Sequence, residues 1–292
     1  MAIITPQLFN ERKKSYKRLF IFGCSFSVYH WPTWANVLHL ETPDAQFYNF
    51  AKSGGGNFFI YAQIIAANQK YKFTKDDCIA VMWSTHGRED RFMNNHWETP
   101  GNIWSQGTYD EKFVKRFADI KGYLVRDLAI FKGAKIILDA LPSDAINMYS
   151  VPVDYDSKYL DGQESIDNLL VLYYDIVQDM TGTLYEHNTN GLGGWESGHK
   201  YYWPDVAKDD LFYDYHPNTG DYMKFLISKG FDISAQNQEL VNNKLMPELL
   251  QLNHIALLKE WSKNLYRELH PSSEVREVGV SLEMDKNISR LP

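Results

Sequence analysis

The feature that most constrains this chain is an alternation. Short apolar runs closed by turn residues take turns with longer segments of helical periodicity. Residues 19–22 (Leu-Phe-Ile-Phe) read as a buried strand stopped at Gly23. Residues 32–40 follow as a helix, with Pro32 suited to its first turn. Residues 46–50 form a second short strand, and the next helix carries Phe58, Ile60, Tyr61 and Ile64. Residues 77–83 are a third strand, apolar almost throughout, as a strand covered on both faces must be. Residues 110–131 have helical spacing at Phe113, Phe117, Ile120, Leu124 and Leu128. Gly133 then reads as a helix end, and residues 134–140 as the fourth strand. Such alternation builds a parallel sheet with helices on both faces. The expected fold class is therefore α/β, a three-layer α/β/α sandwich around a central parallel sheet.

The remainder is less regular. Residues 142–164 read as irregular, and residues 165–180 as a helix with Ile166, Leu169, Leu170, Tyr173 and Val177 inward. Residues 186–203 are rich in Gly, Asn, His and Trp without a period, which fits a lid or a long surface loop. Residues 219–226 are helical, and residues 236–269 strongly so, with a break expected at Pro247. Leu245, Leu249, Leu252, Ala256 and Leu265 give that last stretch an apolar side, able to cross the sheet or to join copies in a homo-oligomer. The domain reading is a polar lead-in (1–17), one domain (18–230, with an insertion at about 142–205), a C-terminal helical extension (231–270) and a polar tail (271–292).

Composition excludes several classes. The formal net charge of -7 lacks the basic stripe of a nucleic-acid binder, and the basic cluster at residues 12–17 reads as a solvated lead-in. Two cysteines, Cys24 and Cys78, lie at the ends of apolar runs and read as buried free thiols. No apolar stretch approaches the roughly 18 residues of a membrane span, and the N-terminus lacks the order of a secretory signal. The default expectations are thus a cytoplasmic location and no membrane partner. An aromatic content of 15% serves a packed core or sugar-stacking surfaces equally.

Chemistry-bearing residues gather at the strand ends. Ser25 lies just past the first strand, at the sheet edge where open α/β folds bind ligands. Gly54, Gly55 and Gly56 follow the second strand, so that backbone amides can approach a ligand. The run lacks the Lys-Ser/Thr of a nucleotide phosphate loop. Trp83-Ser84-Thr85-His86-Gly87-Arg88 follows the third strand, and Asp214-Tyr215-His216-Pro217 opens the helix at 219. Arg88, Glu89 and Arg91 fit a substrate clamp or a solvated ion pair. His187, Glu196 and His199 lack the spacing of a metal site, and no cofactor motif is present. Trp195, Tyr201, Tyr202 and Trp203 suit sugar stacking or packing.

Three of these segments, in order over residues 18–230, resemble the blocks of the SGNH hydrolases, the GDSL-type esterases and lipases. Gly23-Cys24-Ser25 stands where that family has Gly-Asp-Ser, Asn49 and Gly54 match its second block, and Asp214-x-His216-Pro217 matches its last. Two departures are visible. Cys24 replaces the aspartate beside the serine, and Trp83-Ser84-Thr85-His86 occupies the place of Gly-x-Asn-Asp. The resemblance implies a flavodoxin-like sheet and acyl transfer without a cofactor. Ser25 would be the nucleophile, His216 the base and Asp214 the group that orients it. The oxyanion hole would use the amides of Ser25 and Gly54, with Asn57, Thr85 or the Ser84 hydroxyl as the side-chain donor. Trp83, Ser84, His86 and Arg88 would line the substrate site. The implied function is a serine ester hydrolase removing acyl groups, such as acetyl, from a carbohydrate or another small ester. The missing third block leaves a catalytically degenerate glycan-binding or assembly protein as an alternative, and an acyltransferase would use the same triad.

Overall fold

The computed structural model describes residues 3–93, 95–104, 109–155, 164–189 and 198–269. Its centre is a parallel sheet of four strands: β1 (Arg18–Phe22), β2 (Gln46–Asn49), β3 (Asp77–Trp83) and a fourth, Asp144–Tyr149. Between β3 and that fourth strand lies a small hairpin, β4 (Arg91–Met93) with β5 (His96–Glu98), so the fourth sheet strand is β6. The order across the sheet is β2-β1-β3-β6, with Leu19 opposite both Phe47 and Cys78, and Ala80 opposite Ile146.

Side chains alternate across the sheet as the pleat requires. Leu19, Ile21, Cys78, Ala80, Met82, Ile146 and Met148 enter one core, while Phe20, Phe22, Ile79, Val81, Trp83, Ala145 and Tyr149 enter the other. The first core is closed by the helices Pro6–Arg12, Trp34–Leu40 and Thr219–Ser228. The second is closed by Asn57–Tyr71, Ile120–Ala140 and Tyr174–Asp179. Helices thus cover both faces, and the chain is an α/β protein. The strand order reverses at β1, so the carboxyl ends of β1 and β3 flank the crevice where such sheets bind ligands.

The fourth strand differs from expectation. Residues 134–140 are the last two turns of the Ile120–Ala140 helix, which runs through Gly133. Phe131, Ala134 and Leu138 face the core at helical spacing, while Ile136 is 60% exposed. The run of β-branched and apolar residues there imitates a strand, but its burial has the helical period. The true strand, β6, lay in a stretch that read as irregular because Asp144 and Asn147 interrupt its apolar residues. Asp144 is bonded by Arg12 (2.8 Å) and by the Tyr16 hydroxyl (2.7 Å), which makes its burial tolerable. The helix ends before Leu141, which is extended, as a residue preceding proline should be.

Three other boundaries change. The lead-in is folded: the Thr5 hydroxyl caps the helix Pro6–Arg12, Phe9 is fully buried against Tyr16 and Phe231, and Ile3 bridges to Ala145. Its basic cluster is partly internal, since Lys13 bonds Glu41 at 2.8 Å. The end of the 186–203 stretch that read as lid or loop is instead a strand, β7 (His199–Tyr202), in an antiparallel hairpin with β8 (Leu211–Asp214). The C-terminal helices are Ala235–Leu240, then a wide π turn Val241–Leu245, Met246–Gln251 and Ile255–Leu269. The break falls at residues 252–254 rather than at Pro247, which occupies a first-turn position. Val241, Leu245 and Leu265 complete the first core, and Leu249, Ile255 and Leu258 form a third cluster with Trp31 and Tyr201. The apolar side of these helices therefore packs on the chain itself. No helix of the described residues is long and apolar enough to cross a membrane. The polar tail falls outside the described residues.

Because Phe9 fills a core position, Phe9→Ala is expected to cost about 3–5 kcal/mol. Urea unfolding at equilibrium measures this; a cost below about 0.5 kcal/mol, usual for a surface site, would return the segment to a solvated lead-in.

Candidate active site

The crevice is built from four loops at one edge of the sheet. The first carries Ser25. Gly23 is required there by close packing rather than by an unusual backbone turn: a Cβ would come within 2.0 Å of Ser27 Oγ. Ser27 Oγ is itself fixed by the Trp34 indole N–H at 3.1 Å. Cys24, beside Ser25, is fully buried. Asn49 ties this loop to the next by donating to Ser27 O at 2.8 Å and accepting from the Ala51 amide at 3.0 Å. The amide of Lys52 donates to Gly23 O at 3.3 Å.

The second loop carries Gly54, whose φ of +75° is in the left-handed region. A Cβ there would also meet Thr99 O at 2.1 Å, so only glycine fits. Among the described residues, neither the Ser25 amide nor the Gly54 amide has an acceptor. The glycine run does not offer a phosphate cradle. Asp90 already fills the start of the Asn57–Tyr71 helix, accepting from the amides of Gly56 (2.8 Å) and Phe59 (3.0 Å).

The third loop follows β3, and here the expected roles change. Asn57 does not face the crevice. It is fully buried, its amide nitrogen donating to Asp127 Oδ2 (2.7 Å) and Ser84 O (3.2 Å), while its oxygen accepts from the Ser84 amide (2.7 Å). Asn57 therefore clamps the loop and has no proton left for an oxyanion. Trp83 belongs to the second core, against Phe131 at 5.0 Å, with its indole N–H on Asn147 at 2.6 Å. His86 is buried on Asp127 at 3.3 Å. Ser84 is buried, and its hydroxyl has no partner among the described residues. Thr85 Oγ1 accepts from Arg88 Nε at 3.0 Å, and Arg88 Nη1 donates to Gly55 O at 2.9 Å. Arg88 thus joins the second and third loops and is not an open clamp. Arg91 pairs with Glu89 at 3.0 Å. The residues expected to line the substrate site, Trp83, Ser84, His86 and Arg88, are mainly the support of the crevice.

The fourth loop brings Asp214 and His216 from the end of β8. His216 Nε2 lies 2.8 Å from Ser25 Oγ, and His216 Nδ1 lies 2.7 Å from Asp214 Oδ1. The two ends of this chain of bonds are about 190 positions apart in sequence. Asp214 is 1% exposed and is bonded on both oxygens. Oδ1 also accepts from the His216 amide at 2.9 Å, and Oδ2 accepts from the hydroxyls of Tyr201 (2.7 Å) and Tyr29. Burial would raise the pKa of this carboxyl, but the bonds from His216 and Tyr29 outweigh it and hold the pKa below its ordinary range. The Tyr29 ring stacks on the imidazole with centroids 3.7 Å apart.

Sequence reasoning missed Tyr29 as a site residue and placed Tyr201 only among aromatic candidates. The one available signal was the alternation at Tyr201 and Asp214 on paired strands. Gly198 was also missed: a Cβ there would come within 1.7 Å of His216 O. Other candidates are not brought to the site. His187 packs on Phe225, while His199 bonds Leu252 O at 2.6 Å. Trp195 and Glu196 lie outside the described residues. Trp203 packs on Tyr201 and Phe212, and Tyr202 is exposed. No group of metal-ligating side chains is assembled among the described residues.

The depressed pKa of Asp214 has a definite sign in stability. Its contribution is present above the ordinary aspartate value of about 3.9 and is lost as pH falls through the lower folded value. Asp214→Asn is therefore expected to lose stability less steeply below about pH 4 than the wild type does. Urea midpoints measured from pH 2.5 to 6 check this, and parallel curves would refute it. Compared with protein-family models and with curated proteins, the chain matches none.

Proposed function

We propose that this chain is a serine ester hydrolase of the SGNH type, removing an acyl group from a carbohydrate or another small ester. The observation that carries the reading is the line of hydrogen bonds Ser25–His216–Asp214, at 2.8 and 2.7 Å, on the carboxyl edge of the sheet. A serine hydroxyl needs a base within this reach and a group that orients the base. Both are in place. The amides of Ser25 and Gly54, without an acceptor among the described residues, would supply preorganised donors for an oxyanion. The net charge of -7 favours neutral or cationic substrates over polyanions, and Tyr215, 59% exposed beside His216, offers a face for a sugar ring.

The reaction proceeds in two halves. Ser25 Oγ attacks the ester carbonyl carbon as its proton passes to His216 Nε2, and the carbonyl oxygen takes the negative charge. The C–O bond to the alcohol breaks, and the imidazolium returns the proton to the departing oxygen. Water then loses a proton to His216 and attacks the acyl-serine. Collapse of that adduct releases the acid and restores the Ser25 hydroxyl with the same proton. Asp214 stays ionised throughout and stabilises the imidazolium.

Incubation with p-nitrophenyl acetate tests this. Ser25→Ala is expected to lose turnover by about 10⁴–10⁶-fold, and a fluorophosphonate is expected to label Ser25 stoichiometrically. Equal rates for the variant, together with absence of labelling, would reject the hydrolase and favour a degenerate binding protein. Product analysis with added sugar alcohols separates hydrolysis from transfer.

A further inference from the structure

The mechanism above uses only one oxygen of Asp214. Its other oxygen is occupied as fully. A carboxylate has about four acceptor positions, and at least four donors reach this one among the described residues. Oδ1 takes the His216 amide (2.9 Å) and Nδ1 (2.7 Å), while Oδ2 takes the hydroxyls of Tyr201 (2.7 Å) and Tyr29. Burial and the charge of Asp214 push both phenols well above the ordinary tyrosine range, so both remain donors at every working pH.

This saturation has a consequence for the imidazole. With Oδ2 filled, the ring can reach the carboxylate only through Oδ1, and only as an N–H donor. Nδ1 must then carry the proton, and Nε2 must present its lone pair to Ser25. The Tyr29 ring, 3.7 Å away and 17° from parallel, blocks rotation out of that plane from one face, and Phe26 lies 5.3 Å away. We propose that Tyr29 and Tyr201 are positioning residues of the proposed triad: by filling Asp214 Oδ2 they fix the His216 tautomer and restrain the charge that Asp214 presents to the ring. The inference rests on the esterase reading for its use, but not for its geometry.

The restraint follows from charge. Two phenol donors draw density from the carboxylate, so it stabilises imidazolium less than a bare carboxylate would. Removing one hydroxyl while keeping the ring returns that density to Asp214. Other titratable groups around the pair are Ser25 after β1, His30, His199 on β7, Tyr222 on the Thr219–Ser228 helix and Lys259 on the Ile255–Leu269 helix. Burial holds His30 down to about 4, so it adds no charge near neutrality. Lys259 lies over Trp203 and acts on His30.

The test uses the full chain with ¹⁵N-labelled histidine. His216 signals are assigned by their absence in His216→Gln, and their pH titration is followed in Tyr29→Phe, Tyr201→Phe and the exposed control Tyr174→Phe, on a helix away from the site. Each of the first two is expected to move the His216 midpoint upward by about half a unit or more, with the control unmoved. The acid limb of kcat should move in the same direction with little change in KM. If Tyr201→Phe does not fold, Tyr29→Phe carries the test alone, because Tyr29 is only partly buried. A folded Tyr29→Phe whose midpoint coincides with that of the wild type would overturn the proposal. Failure of the esterase reading is distinguishable: the wild type would then turn over no ester while the midpoints still shifted.

Discussion

A buried aspartate organises the working part of this molecule. Asp214 is 1% exposed, and a carboxylate so placed is tolerable only when its oxygens are bonded. Its donors come from separate parts of the chain: Tyr29 from the loop after β1, Tyr201 from β7, and His216 from its own turn. Meeting that one requirement brings the hairpin of β7 and β8 against the β1 loop, and Ser25 with it. Trp31 Nε1 donates to Pro217 O at 2.8 Å, and the Thr219 hydroxyl to Pro32 O at 2.9 Å, so the same two stretches are joined twice more.

The hairpin cannot hold this position alone, because two short strands are marginal without packing. Its support is the C-terminal helical region. Tyr202 N donates to Asn253 O at 2.8 Å, and His199 bonds Leu252 O at 2.6 Å. Tyr201 packs in a cluster with Trp31, Leu249, Ile255 and Leu258. Sequence placed these helices outside the domain that holds the triad. In the fold they pack behind Tyr201, whose ring lies in their cluster while its hydroxyl reaches Asp214.

What could be read in advance follows from how local each signal is. β1 and β3 were legible because a strand buried on both faces must be apolar throughout. Ser25, Gly54, Asp214 and His216 were legible because each sits beside a turn with its own residue signature. β6 was not, because Asp144 and Asn147 are polar groups satisfied by partners elsewhere: Arg12, Tyr16 and Trp83. The segment 134–140 misled for the converse reason. Its apolar composition suits a strand, and only the burial of Phe131, Ala134 and Leu138 reveals a helix. Tyr29 was invisible for a third reason: its role depends on a carboxylate 185 positions away.

The loop after β3 shows how the departure from the usual third block is accommodated. Asn57, at the start of a helix, takes both the amide and the carbonyl of Ser84, as a neighbouring strand would. Asp127, itself fully buried, holds Asn57 at 2.7 Å and His86 at 3.3 Å, and is neutralised by Arg126 at 2.8 Å. Arg88 then bonds this loop to Gly55. The side-chain amide of Asn57 is thus consumed in fixing the loop. Among the described residues, the backbone amides of Ser25 and Gly54 have no acceptor. A frame that spends its side-chain donors internally thus leaves two backbone amides as fixed donors, and fixed amides need no reorientation to meet a negative charge that develops beside them.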